Sequence, residues 1–302
     1  MRARPLSTDG SHRPADFATA CLHLPLPGCT LLIVACVHVC VCAAGALVDH
    51  DKLAASPNDA MATCPVIAVD VAAGEAHFTA DSGRNGTAHR QAMCACAKFG
   101  LGLTNHAGES GPAAHVALAC SDVYGGARRI GHGYAAVAEA QAKVAQELKG
   151  GGAAAGGGAE GGGAAAKALV GALRSLSVPD GVTMEMCPTS SRATGGWTGK
   201  AWTEHPAAVL SQLRAAAEAA GEAEVAAALP RVTISSDDPA VFCASLTDEL
   251  TIAAHEMGIS IDGLHTAMRN AADAAFLPQP AKARLKARLE AAWAEWAAVD
   301  AT

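Results

Sequence analysis

A chain of 302 residues, 51% of them hydrophobic, is long enough for one large α/β domain or two ordinary ones and can bury a substantial core. A net charge of -7 and 4% aromatics argue against a nucleic-acid partner, since there is no basic excess for phosphates and few rings on which bases could stack. Of eleven cysteines, six (Cys21, Cys29, Cys36, Cys40, Cys42, Cys64) crowd into the first 64 residues and none forms a CxxC pair, so reduced thiols and a cytoplasmic location are expected.

Residues 1–64 read as a degenerate N-terminal segment built around the apolar run "TLLIVACVHVCVCAAGALV" at 30–48. The run is short for a membrane span, carries His38, and follows nearly thirty residues containing four prolines, which also misfits a signal core, so no membrane partner is expected. Its "VHVCVC" alternation is what a GT-repeat tract would encode, which suggests translated non-coding sequence or a misjoined exon. From residue 65 to 302 short β-branched runs alternate with Ala-rich amphipathic stretches, the pattern of a parallel βαβ sheet.

Strands are expected at 66–72, 101–107, 127–133, 182–188 and 231–237. Helices are expected at 135–149, 205–220, 246–257, 261–275 and 281–298, the last burying Leu285, Leu289, Ala292, Trp293 and Trp296. The Gly/Ala-rich tract at 150–166 reads as a flexible inserted loop; without a GK[ST] ending, and after a helix, it is no phosphate cradle.

Polar, chemically capable residues gather at the carboxyl ends of these strands: His106 with Glu109, His132, Glu185 with Cys187, and Asp237 with Asp238. In a parallel α/β barrel those ends open on one face, where active sites are built. Asp237 and Asp238 are adjacent carboxylates that repel unless a cation lies between them or each has its own partner, and a metal ion would satisfy them. Singly, a strand-end histidine is more often structural, and an Asp pair more often a turn or cap. "HEMGI" at 255–259 lacks the second histidine of a zinc-protease motif and reads as a helix-surface pair, and Cys187 reads as buried framework.

Taken together, "TNHAGESGP" (104–112), "ARRIGHGY" (127–134), "MEMCPTSS" (184–191), "HP" (205–206) and "VTISSDDPAVF" (232–242) resemble the adenosine deaminase family of zinc-dependent aminohydrolases. "LTDELTIAAHEMGIS" and "RNAADAAFL", which follow, extend the likeness over roughly residues 65–302. The resemblance implies an incomplete TIM (β/α)8 barrel of the metal-dependent hydrolase type, with about five parallel strands and C-terminal helices. It implies Zn2+ held by His106 and Asp237, a water oriented and deprotonated by His132, Glu109 protonating N1 of a purine, and Asp238 hydrogen-bonding N7. The substrate would be a small-molecule purine nucleoside, adenosine or a related 6-aminopurine such as adenine or N6-modified AMP, with adenosine deaminated at C6 to give inosine and ammonia. The family's purine-contacting glycine falls at Ala73, with Gly74 one step on.

No HxH pair, which completes the family's zinc shell, occurs among the twelve histidines. Pro5 and Ser7, or Pro25 in "LHLPLPG", stand where that pair belongs, and a weak metal site is expected. The competing expectation is a non-catalytic or unstable relic of a deaminase.

Overall fold

The computed structural model describes residues 67–72, 74–78, 83–151 and 159–300. The apolar run at 30–48, the positions of Pro5, Ser7 and Pro25, and Ala73 lie outside the described residues.

Five strands form a single sheet in chain order: β1 (Ala68–Val71), β2 (Gly102–Ala107), β3 (Arg129–His132), β4 (Thr183–Met186) and β5 (Arg231–Ile234). Every neighbouring pair is parallel, which requires a long crossover between successive strands, and helices fill these crossovers. They are α1 (Gly83–Lys98), α2 (Ala113–Cys120), α3 (Tyr134–Gly151), α4 (Ala159–Ser175), α5 (Pro188–Thr194), α6 (Pro206–Ala219) and α7 (Ala223–Ala228). After β5 come α8 (Pro239–Phe242), α9 (Leu246–Thr251) running into one π turn, α10 (Ile261–Ala274) and α11 (Gln279–Asp300). Among the described residues β1 and β5 do not pair with each other, so the sheet is an open arc of a barrel. No helix among the described residues is long and apolar enough to cross a membrane.

The strand register sorts the two faces. Val71, Asn105, Ile130, Met184 and Val232 share a row, and all but Asn105 belong to the buried apolar core beneath the helices. One residue along, the alternation of the pleat places Asp70, Thr104, Arg129, Thr183 and Arg231 on the opposite face, followed by the row of His106, Gly131, Glu185 and Thr233. This face is polar, with Arg129 paired to Glu185. Its lower end is closed by Phe276: the Arg129 guanidinium lies 4.4 Å from the ring centroid, and a Cβ at Gly102 would come within 2.2 Å of the same ring.

Two expectations need correction. The Gly/Ala-rich tract is not a loop across 150–166: α3 runs to Gly151 and α4 starts at Ala159, inside it. Small residues here permit close helix packing: Ala166 is fully buried, and a Cβ on Gly162 would stand 2.6 Å from the Cβ of Ala216 in α6. Nor do the apolar residues of α11 form core, because Leu285, Ala292 and Trp296 are exposed and Leu289 and Trp293 only half-buried. This helix packs on α10 at the edge of the domain, through a His265–Trp293 stack at 4.3 Å and the Lys286–Asp273 ion pair.

The packing separates two glycines of α4. Alanine is favoured over glycine in a helix by about 1 kcal/mol. Gly171→Ala, whose new Cβ meets nothing within 4 Å, should therefore raise the unfolding midpoint. Gly162→Ala, which drives into Ala216, should lower it. Thermal denaturation of the pair checks this, and shifts of the same sign would contradict the α4–α6 contact.

Candidate metal and catalytic centre

The polar row ends at the carboxyl edge of the sheet, where side chains from β2, β3 and the loop after β5 converge. His106, His132 and Asp237 each present one ligand atom, and these atoms all lie within 4.8 Å of one another. Glu109 joins them from the loop after β2, its Oε2 3.7 Å from His132 Nε2, while Asp237 Oδ2 lies 3.8 Å from the same nitrogen. These separations exceed hydrogen-bond length, so the groups face a common space instead of satisfying one another.

Simple strand alternation would not assemble this group. His132 follows Ile130 on the helix side of the pleat, and pairs with Ala107, which is fully buried. Its backbone is left-handed at φ 71°, followed by Gly133 at φ 73°, and this re-aims the imidazole toward the mouth. A Cβ at Gly133 would press to 2.9 Å on Met184 Sδ, so the second of these positions also needs the space of glycine. Asp237 is likewise left-handed at φ 55°. Non-glycine residues in this region carry strain of order 1–3 kcal/mol and cluster at functional sites.

Each side chain is then fixed by a partner. His106 Nδ1 meets Asp70 at 3.2 Å, leaving Nε2 as the atom able to bind a ligand. Burial opposes a charge on His106, but the hydrogen bond and charge of Asp70, with Asp237 and Glu185 behind it, raise its pKa to about 9. His132 moves the other way: burial, with the repulsion of His106, outweighs the attraction of Glu109 and Asp237 and lowers its pKa below 6.5. Asp237 Oδ2 accepts from Ser190 Oγ at 2.6 Å, and Glu109 Oε1 accepts from Thr194 Oγ1 at 3.0 Å. Both hydroxyls belong to α5, whose Thr189 N–H donates to the buried carboxylate of Glu249.

The adjacent carboxylates diverge. Asp237 turns into the cluster, whereas Asp238 is exposed at the N-terminus of α8 and its side chain makes no cap hydrogen bond there. Gly74 lies in the short segment between β1 and the 3-10 turn Glu75–Phe78.

Sequence reasoning missed Asp70, Glu75, Tyr134, Ser190 and Thr194. Asp70 was findable, since a lone carboxylate inside "VIAVDVA" shares a pleat face with His106 once β1 and β2 are aligned. His205 beside the cluster is structural. Its Nδ1 accepts from Ala207 N–H, so Nε2 carries the proton toward Ser191 Oγ at 3.2 Å, and burial takes its pKa down to about 3. Cys187 is buried, and burial raises its thiol pKa strongly.

A family profile described as adenosine deaminase matches residues 35–292. An adenine deaminase from Sinorhizobium medicae is 32% identical over 190 residues, covering 63% of this chain and 43% of that protein. An aminodeoxyfutalosine deaminase from Streptomyces coelicolor is 33% identical over 117 residues, 39% of this chain and 26% of that protein. Among solved structures, an amidohydrolase from Burkhoderia ambifaria with bound zinc superposes with a TM-score of 0.51 at 16% identity, covering 83% of this chain and 56% of that one, which shows the fold. The chain spans less than half the length of the curated relatives it matches.

The raised pKa of His106 has a signed consequence. In the metal-free fold its charge stabilises fully below pH 6.5, and that contribution fades as the pH rises through about 9. A metal ion held by His106 would have to displace the same proton, so apparent affinity for added zinc should then rise by up to about tenfold per unit between pH 7 and 9 and level off. Chelator-competition titrations measure this, and Asp70→Asn should shift the rise to lower pH. A flat profile in the intact chain would contradict the assignment of His106.

Proposed function

This chain belongs to the adenosine deaminase family, and from that premise we propose that it hydrolyses the amino group from C6 of a purine, releasing ammonia. The reading is carried by the convergence of His106, His132 and Asp237, with Glu109 facing the same imidazole nitrogen. His106 and Asp237 offer imidazole nitrogen and carboxylate oxygen, donors that suit zinc, a borderline ion, and make two of the three protein ligands usual in its catalytic sites. His106 and Asp237 would hold the ion with His132 Nε2 beside them. Bound there, zinc supplies the Lewis acidity that brings the pKa of water to about 7.

The chain's own groups manage the protons. His132, with its lowered pKa, is the neutral imidazole at pH 7 and so the base for the attacking water. Its tautomer is set by pointing the Tyr134 phenolic proton at Cys187 O. Cys187 N–H donates to Tyr134 Oη at 3.0 Å, and Tyr134 O–H donates to Cys187 O at 3.3 Å. The remaining Oη lone pair accepts from His132 Nδ1–H at 3.2 Å, which leaves Nε2 unprotonated and facing Glu109 and Asp237. Glu109 delivers a proton to N1, making C6 a better electrophile. Asp238 hydrogen-bonds N7, and Gly74 borders the base.

The substrate is an unphosphorylated 6-aminopurine. Of the two arginines on the polar face beneath the cluster, Arg129 is already paired with Glu185 and Arg231 donates to Gly181 O. The likeness to adenine deaminases favours the free base over the nucleoside.

Ammonia release from adenine and adenosine by the zinc-loaded full-length chain tests the reading. Glu109→Gln should cut kcat by at least about 100-fold, the lower end of what a proton-transfer group contributes, while zinc stays bound near one per chain. His106→Ala should lose both zinc and activity. Retained turnover in Glu109→Gln, or its loss together with zinc, would overturn the role given to Glu109; a metal-free, aggregating parent chain would support a non-catalytic relic instead.

A further inference from the structure

Glu75 lies outside the chemistry just described, yet its buried carboxylate is among the most heavily hydrogen-bonded groups at the mouth of the sheet. Its Oε1 accepts from the backbone N–H of Glu109 at 2.8 Å, Ser110 at 2.8 Å and Gly111 at 3.1 Å. Its Oε2 accepts from the N–H of Gly108 at 2.9 Å and lies 2.7 Å from His115 Nδ1. The loop after β2 therefore forms a concave nest of four N–H groups around one anion. Burial opposes the charge, but these hydrogen bonds outweigh it and hold the Glu75 carboxyl below the usual glutamate range.

The nest is closely fitted. Gly108 is left-handed at φ 71°, and a Cβ at Gly111 would come within 2.5 Å of Glu75 Oε2 and 2.2 Å of His115 Nδ1. The ring of Phe78, one 3-10 turn beyond Glu75, packs 5.1 Å from that of His115 and covers the far side. One anion thus ties the segment leaving β1 to the loop leaving β2. That loop carries Glu109, whose own amide is one of the four donors.

We propose that Glu75 is a positioning residue that acts through Glu109, clamping the loop so that the Glu109 carboxylate stays at its distance from His132. The proposal rests on the deaminase reading for its catalytic consequence, but not for the clamp itself. The Glu109 side chain has Thr194 Oγ1 as a hydrogen-bond partner, and that contact fixes its tip; Glu75 fixes its backbone. A displacement of about 1 Å in a reacting group can cost on the order of 100-fold in rate.

The test compares Glu75→Gln and Glu75→Asp with the parent in the zinc-loaded full-length chain. Glutamine fills the same volume but turns an NH2 group against N–H donors, whereas aspartate keeps the charge one methylene short. Glu75→Gln should lower kcat about 10- to 100-fold, with KM for the 6-aminopurine within about threefold and zinc content unchanged. Glu75→Asp should recover part of the loss. Hydrogen exchange supplies a readout independent of activity: the amides of Glu109, Ser110 and Gly111 should be protected in the parent and exposed in Glu75→Gln. Unchanged kcat and protection in Glu75→Gln, or kcat falling only in step with zinc content, would overturn the proposal. Protected parent amides that open in Glu75→Gln, in a parent that releases no ammonia, would uphold the clamp and reject the deaminase reading.

Discussion

The imidazoles of His106 and His132 stand edge to face with ring centroids 5.0 Å apart, and two positive charges so close and so little solvated repel strongly. The surrounding groups resolve this by separating the two. Asp70 sits on Nδ1 of His106 and favours its charged form, whereas His132 is almost fully buried and receives a phenol oxygen on Nδ1. One imidazole is thus held as a cation and the other as a neutral ring. In the deaminase reading proposed above, a metal ion would take the place of the proton on the first and leave the second free to accept one.

Several contacts act at a distance from the chemistry to maintain this arrangement. Left-handed backbone at His132 and Asp237 turns both side chains inward against the strand alternation. Ser190 and Thr194, one helical turn apart on α5, hold the oxygens of Asp237 and Glu109. Glu75 holds the loop from the opposite side through main-chain amides. The polar groups of the mouth are therefore anchored from β1, β2, β3 and α5: Asp70, Glu75, Glu109 and Asp237 each have a partner, and Asp238 turns to solvent away from Asp237.

Much of this was legible in the sequence because it is written in short-range pattern. All five strands fall within their expected spans, since β-branched runs between Ala-rich stretches carry the period of the pleat. The family likeness rested on motifs at strand ends, where the residue order is fixed by chemistry more than by packing. The helix in the Gly/Ala tract was not legible, because its stability comes from close contact with Ala216, which depends on the partner helix and not on glycine's own preference. The exposed face of α11 misled in the opposite sense: helical spacing of tryptophans shows a stripe but not whether a second layer covers it. Glu75 and Tyr134 escaped because their partners are main-chain atoms and one imidazole, and no spacing rule reports those.

The protonation states of the two imidazoles can be read directly from long-range 15N–1H correlation spectra of the metal-free, full-length chain as the pH is raised. The account predicts that His106 keeps both ring protons until about pH 9, while His132 at pH 7 is neutral with its proton on Nδ1. Two imidazoles titrating together near the ordinary histidine value, or a His132 that carries its proton on Nε2, would contradict it.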